Sequence, residues 1–196
     1  MVSLLQREAV GRVRAVLTGA GLPDSIVELA DTARTAEEAA IAVGCEPGAI
    51  VKSLVFAVGE RLVMVLVAGD RQCLEENLPA AFSLQGAVRR PQASEVKGAT
   101  GFSIGGVAPI GVLHKIPVVI DQSLKRFDTV YAAAGHPHCV FATSVDRLKR
   151  LTGGIVSWNV GRPDGGAVVT GPIERTRTLA KMLAEEKNGA KSTDPA

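Results

Sequence analysis

Aromatic residues and net charge are both scarce in this chain of 196 residues. Phe, Trp and Tyr make up 4% of the sequence, so a packed core has to come mainly from Val, Leu, Ile and Ala. The formal net charge is +2, which argues against a broad basic surface for binding nucleic acid. A polyanionic partner would therefore have to bind a local basic patch. Hydrophobic residues make up 46%, enough for the core of one soluble domain.

Cysteines are few, and long apolar runs are missing. Cys45, Cys73 and Cys139 are odd in number and far apart, which argues against a disulfide framework and indicates a reducing cytoplasm. The longest uninterrupted apolar run, Leu62–Ala68, is far too short to cross a membrane, and Val2–Leu5 is cut off by polar residues before it could form a signal peptide. We therefore expect a cytoplasmic protein with no membrane partner.

Helical and extended patterns alternate along the chain. Apolar spacing predicts a helix over residues 3–18, and Thr35 followed by acidic residues predicts the start of a second helix that ends at Gly44. Two apolar stretches, 50–58 and 62–68, flank a short loop and predict a β-hairpin. The other predicted helices are one over 70–83, interrupted near Pro79, a short one capped by Ser94 that ends at Gly98, and one from Ser144 or Asp146 to Gly153. The other predicted strands are at 25–29, 87–90, 117–121, 129–133, 138–142 and 155–160.

These elements predict an α+β fold in which helices cover a mixed, largely antiparallel sheet, because several strands follow one another through tight turns. The predicted domain comprises residues 1–160. Beyond it, 161–196 has the composition of a Gly- and Pro-rich linker, followed by a short helix over 173–187 and a disordered tail. The sequence leaves the oligomeric state open.

Lys52 stands out within the predicted strand 50–58, which is otherwise apolar on both faces. A lysine in such a strand is costly unless its amine reaches solvent, a pocket or an anionic partner. Lys52 therefore either extends to solvent at a strand edge or lines a functional cavity. Ser53 points to the opposite face of the strand, so the two cannot form a Ser–Lys catalytic dyad there.

Two glycine-containing turns are further candidates for a site. The segment 100–111 is rich in glycine, which allows a backbone to approach a ligand closely and to direct N–H groups at one oxygen, although an ordinary surface loop has the same composition. It lacks both the dinucleotide and the P-loop patterns, and we expect no cofactor. The second turn is Gly135-His136-Pro137. Its histidine lies near His138 and Cys139, but the three are too tightly spaced for a usual zinc cluster, and we expect no metal.

Taken together, these pieces resemble one family over roughly residues 20–160. The segments that carry the resemblance are 35–40 with Gly44-Cys45, 50–56, 105–109 and 135–137, and their order and spacing are more specific than any one of them. The sequence resembles the YbaK/ProX family of freestanding aminoacyl-tRNA deacylases, which are related to the editing domain inserted in bacterial prolyl-tRNA synthetases. The resemblance implies a mixed, mostly antiparallel, barrel-like sheet surrounded by helices.

The resemblance also implies an activity: hydrolysis of the ester that joins a wrong amino acid to the CCA end of a tRNA. Substrates of this kind include tRNA(Pro) carrying Ala or Cys, and prolyl-tRNA synthetase becomes a candidate partner. Lys52 matches the functional lysine of the family, and His136 is expected to orient the substrate or a water molecule. The expected substrate-binding residues are Ser53, Gly105, Gly106, Val107, Ala108, Pro109, Gly135 and Pro137, with the 105–109 loop and the 135–137 turn on opposite sides of the pocket.

The sequence departs from the family pattern at two places. Ala108 stands where proline is frequent, and the strand over 25–31 carries aliphatic Ile26, Val27 and Leu29 where many members have aromatic or histidine residues. The amino-acid specificity is therefore open. Two other functions also stay open: a binding module that holds an aminoacyl-tRNA end without turnover, and an interaction protein that uses 173–187 to bind a partner.

Overall fold

The computed structural model describes residues 3–29 and 35–164. In these ranges the protein forms five α-helices and ten strands. The helices are α1 (Glu8–Gly19), α2 (Ala36–Val43), α3 (Leu78–Phe82), α4 (Ala93–Thr100) and α5 (Val145–Thr152). The strands are β1 (Ile26–Glu28), β2 (Ile50–Val58), β3 (Arg61–Ala68), β4 (Arg71–Cys73), β5 (Val88–Arg89), β6 (Val118–Asp121), β7 (Val130–His136), β8 (Cys139–Thr143), β9 (Ile155–Ser157) and β10 (Gly161–Pro163).

Eight of these strands form one sheet in the order β1-β8-β7-β2-β3-β6-β9, with β5 beside β2. The β1–β8, β8–β7, β2–β3 and β2–β5 pairs are antiparallel, whereas β2–β7, β3–β6 and β6–β9 are parallel. Strands β4 and β10 pair separately as a small antiparallel sheet. The predicted α+β class with a mixed, mostly antiparallel sheet is confirmed.

Both faces of the central hairpin are covered, which explains why β2 and β3 are apolar on both sides. Val51 and Val55 pack with α1, α4 and α5 in the main hydrophobic cluster. Phe56 and Val58 point the other way, into a second cluster with α3. A smaller cluster joins α2 to Ile50. The long β2–β3 hairpin is therefore the axis of the core.

Local sequence signals set the ends of several helices. Thr35 caps α2 in a full capping box: its hydroxyl accepts from the Glu38 N–H at 3.1 Å, and the Glu38 carboxylate accepts from the Thr35 N–H. Gly44 closes this helix in the left-handed conformation. The Ser144 hydroxyl caps α5, and Gly153 ends it. These predicted helix boundaries are confirmed.

One predicted helix is wrong, and another forms with different ends. The helix predicted over 70–83 is instead strand β4, a 3-10 turn at Glu75–Asn77 and the short helix α3, because β4 pairs with β10 about ninety residues later in the sequence. The helix predicted to start at Ser94 begins at Ala93 with Gln92 as its cap, and it continues through Gly98 to Thr100.

The boundary between the domain and the linker also needs correction. Gly161–Pro163, the first residues of the predicted linker, form β10 and pair with β4. The remaining expectations for the C-terminal segment, including the helix over 173–187, fall on residues 165–196, outside the described part of the protein. No helix among the described residues is long and apolar enough to cross a membrane.

Candidate functional site

The sheet opens beside the middle of β2. One edge of β2 pairs with β3 along nearly its whole length. On the other edge, β7 pairs with Ile50 and Val51, and β5 pairs with Ala57 and Val58. Residues 52–56 have no strand on that edge among the described residues, and a cavity of about 440 Å³ opens at this gap. Its volume suits a small-molecule site.

The hairpin register decides which backbone groups of β2 face this gap. A two-residue loop makes Val58 and Arg61 a hydrogen-bonded pair, so alternate residues of β2 turn their N–H and C=O groups toward β3. The intervening residues, including Ser53 and Val55, turn theirs toward the open edge. The Gly59 N–H, which reaches Ala87 O at 3.0 Å on that edge, agrees with this alternation. The cavity is therefore bordered by backbone donors and acceptors of Ser53 and Val55 that no strand of the described ranges pairs with.

Lys52 is one of the residues that line the cavity, and it is half-buried. Its amine donates hydrogen bonds to two backbone carbonyls, Gly69 O at 3.1 Å and Arg71 O. Both acceptors belong to the segment that joins β3 to the start of β4. An ammonium group has three donors, and two of them are used in these bonds, which fix the position of the amine.

Ser53 provides a second polar group at the gap. Its Oγ atom is buried and has no hydrogen-bond partner among the described residues. A buried hydroxyl without a partner is uncommon in folded proteins. Ser53 also lines the cavity, but its Oγ atom is buried, so a bound molecule would meet its backbone on the open edge of β2 rather than its hydroxyl.

The glycine loop and the Gly-His-Pro turn lie against each other, so the expected placement on opposite sides of the pocket is wrong. Gly105 and Val107 line the cavity together with Pro137. A Cβ atom on Gly106 would lie 2.8 Å from both the carbonyl carbon and the Cα atom of His136, so only glycine fits this contact. The Gly106 N–H donates to Ser103 O at 3.0 Å and is not free to bind a ligand oxygen.

His136 is the last residue of β7 and is not among the described residues that line the cavity. Its Nδ1 atom accepts a hydrogen bond from the His138 N–H at 3.2 Å, within the turn itself. Burial lowers the pKa of His136, and the positive charges of Arg7 and His138 lower it further. The ring is therefore neutral at neutral pH, and its observed contacts serve the turn.

The structure brings half of the predicted site residues to the cavity wall. Lys52, Ser53, Gly105, Val107 and Pro137 line it. Gly106, Ala108 and Gly135 do not line it, and Pro109 lines a separate cavity beside α1 and β6. Gly135 instead lets β7 approach α1, since a Cβ atom there would lie 2.8 Å from Ala9 O.

Sequence reasoning missed most of the apolar lining. The apolar lining residues come from widely separated parts of the sequence, and the polar Thr35 and Arg90 line the cavity with them: Leu29, Ala36, Ala39, Ile50, Val51, Leu54, Val55, Pro91, Val96, Ile104, Tyr131, Ala133 and Val140. Arg90 is the lining residue that a charge search could have found. It is exposed, pairs with Glu75 and lies over the Phe56 ring at 4.2 Å.

The cysteines are poor nucleophiles in this structure. Burial, with a contribution from Glu46, raises the pKa of Cys45 to about 11. Burial and Glu75 raise the pKa of Cys73 to about 12, and burial also raises the pKa of Cys139, which is fully buried. No group of three His, Cys, Asp or Glu side chains in the described ranges could hold a metal ion.

Comparison with known proteins defines the class of this fold and cavity. Residues 30–151, more than half of the sequence, match the aminoacyl-tRNA editing domain family. The chain belongs to this family. The match spans β2, with Lys52 and Ser53, and the glycine loop with its neighbouring turn.

Individual relatives agree with that assignment. The chain is 34% identical over 124 residues to YwhH of Bacillus subtilis (strain 168), a protein described as uncharacterized, and the match covers 63% of this chain and 78% of YwhH. It is 36% identical over 112 residues to the proline–tRNA ligase of Thermotoga maritima, covering 53% of this chain and 19% of the ligase. A crystal structure described as a candidate trans-editing enzyme for prolyl-tRNA synthetase superposes with a TM-score of 0.73 at 35% identity, covering 80% of this chain and 98% of that one. The chain thus spans less than a fifth of the ligase.

Proposed function

We propose that this protein is a trans-editing hydrolase that deacylates mischarged aminoacyl-tRNA, with alanyl- or cysteinyl-tRNA(Pro) as its substrates. One observation carries the proposal. In a member of the editing-domain family, the gap beside β2 brings together at one cavity Lys52, whose amine is held by two backbone carbonyls, the open backbone edge at Ser53 and Val55, and a glycine loop.

The walls suit the end of an aminoacyl-tRNA. An apolar cavity of this size can hold a small side chain and part of the terminal nucleoside. Lys52 offers a positive charge to the phosphate or ribose of the CCA end, or to the ester carbonyl. Arg90, at the cavity rim, adds a second cation near the surface.

An aminoacyl ester is already activated, so hydrolysis needs a positioned water molecule and donors for the developing oxyanion. The Gly106 N–H is occupied within its own loop and is not that donor. We assign the role to the backbone N–H groups of Ser53 and Val55 on the open edge of β2. The backbone of His136 supports the glycine loop, and a role of its ring in orienting the substrate stays a prediction.

The test uses alanyl-, cysteinyl- and prolyl-tRNA(Pro) with the purified full-length protein. We expect faster loss of the alanyl or cysteinyl ester than in buffer, with prolyl-tRNA(Pro) left intact. Lys52→Ala should slow hydrolysis about a hundredfold or more, because it removes a preorganised charge. Lys97→Ala, which changes an exposed lysine of α4, is the matched control and should leave the rate unchanged. Failure of the wild-type protein to accelerate loss of any ester would refute the proposal.

A non-catalytic binding module is the second candidate, and one observation favours it. The Lys52 amine and the Gly106 N–H both already have partners within the protein. In a filter-binding assay, such a module would retain aminoacyl-tRNA and leave its ester intact. The Lys52→Ala variant would no longer retain the tRNA. Measuring retention and ester loss on the same samples separates the two functions.

A further inference from the structure

The position of the Lys52 amine depends on a strand outside the main sheet. Its acceptors, Gly69 O and Arg71 O, lie just before β4 and at its start. Strand β4 pairs with β10, and Arg71 stands opposite Pro163 in that pair. Whatever holds β4 in place therefore also sets where the amine can bind.

The Arg71 side chain links this strand to a buried carboxylate. Its Nε atom lies 3.3 Å from Oδ2 of Asp121, and its Nη2 atom donates to Gly161 O at 2.8 Å. Asp121 ends β6 and is 1% exposed. Ser123 completes its surroundings by donating from its N–H and its hydroxyl.

Close packing makes this cluster rigid. A Cβ atom on Gly161 would lie 2.6 Å from Oδ2 of Asp121, so β10 can approach the carboxylate only with glycine at this position. A buried carboxylate needs a cation and hydrogen bonds to be tolerated: Arg71 supplies the positive charge, and Ser123 supplies the hydrogen bonds. The contacts among Asp121, Arg71 and Gly161 fix β4 to the end of β6 and to β10.

We infer that Asp121 and Arg71 are positioning residues that hold the two carbonyls receiving the Lys52 amine. This inference rests on the proposed function of Lys52, because a fixed amine matters only if it acts on a ligand. It extends the functional unit beyond the family match at 30–151, since Gly161 and β10 lie after that range. Neither Asp121 nor Arg71 lines the cavity, so each acts through Lys52.

The first experiment measures the amine directly and needs no editing activity. The full-length protein is acetylated with a limiting amount of acetic anhydride, and mass spectrometry compares the rate at Lys52 with that at exposed Lys97 in the same molecules. We expect Asp121→Asn and Arg71→Met to raise the relative rate at Lys52 severalfold, because the released amine becomes accessible. Asp24→Asn removes the exposed carboxylate that pairs with Arg14 at 2.7 Å and should leave the rate ratio unchanged.

The second experiment measures hydrolysis of the mischarged tRNA by the same variants. We expect kcat/KM to fall about tenfold in Asp121→Asn and Arg71→Met and to stay constant in Asp24→Asn, because a displaced amine loses its alignment. A folded Asp121→Asn variant with unchanged Lys52 acetylation would overturn the inference. If that variant does not fold, the same result in Arg71→Met overturns it. An inactive wild-type protein refutes the proposed function alone, since the acetylation readout still decides the positioning role.

Discussion

The two walls of the cavity are held in place by different forces. The lysine wall consists of Lys52–Val55 with Gly69 and Arg71 behind it, and hydrogen bonds from an amine to backbone carbonyls fix it. The glycine wall consists of Gly105–Val107 with Pro137, and close backbone contact with the 136–137 peptide fixes it. The lysine wall is thus sensitive to loss of a polar partner, whereas the glycine wall is sensitive to added volume.

The largest expected effect is on the lysine wall and comes from Gly69→Ala. The new Cβ atom would lie 2.1 Å from Pro47 O and 2.8 Å from the Ala36 side chain, so the turn carrying the acceptors of Lys52 has to move. We expect a loss of about 3 kcal/mol in the free energy of unfolding, measured with urea. Gly98→Ala is the control: no atom of the described residues lies within 4 Å of its added Cβ atom, and it should stabilise α4 slightly. Equal stability of the two variants would contradict the comparison.

Lys52→Met removes the amine but keeps most of the aliphatic stem. It leaves Gly69 O and Arg71 O without their donor, which should cost about 2 kcal/mol in the free energy of unfolding. Hydrolysis should be lost as in Lys52→Ala. Lys97→Met, at an exposed position, should change neither quantity. If Lys52→Met were as stable as the wild-type protein, the lysine wall would not depend on these bonds.

Gly106→Ala tests the glycine wall. Its Cβ atom would meet the backbone of His136, which cannot rotate away as a side chain would, so the loop and the turn should separate. We expect a cost of about 1–2 kcal/mol in the free energy of unfolding. A displacement of about 1 Å would lower kcat/KM about a hundredfold. Gly105→Ala would be strained for a different reason, because Gly105 has a φ of +93°. Among the described residues, its added Cβ atom would meet Pro137 alone, at an ordinary contact distance of 3.6 Å.

The smallest effect is a pH dependence from His136. Because the folded state lowers its pKa below the ordinary value of about 6.5, the unfolded protein binds a proton first as pH falls. The stability that neutral His136 contributes is complete above about pH 6.5 and is lost toward its lower folded pKa. His136→Asn, which can still accept from the His138 N–H, should lose less stability than the wild-type protein between about pH 7 and about pH 5.5 in urea titrations. An identical loss in both proteins would assign the pH dependence to other groups.

The sequence located the glycine wall better than it located the lysine's partners. A glycine loop and a Gly-His-Pro turn are continuous segments, and the structure brings both to the cavity. The acceptors of Lys52 were not predictable, because residues 70–83 have a helical pattern and nothing near them indicates that Arg71 pairs with β10. The role of His136 as a substrate-orienting group stays a prediction, since its observed contacts lie within its own turn.

The sequence by itself determined the elements whose signals are local: the apolar hairpin of β2 and β3, and the caps at Thr35, Gly44, Ser144 and Gly153. These elements form because their hydrogen bonds and turns involve residues only a few positions apart. Tertiary structure alone decided that β2 is unpaired over 52–56 on one edge among the described residues, that a cavity opens there, and that the Lys52 amine meets two carbonyls. These features depend on which distant strands lie beside β2 and β4, and a local pattern carries no information about that choice.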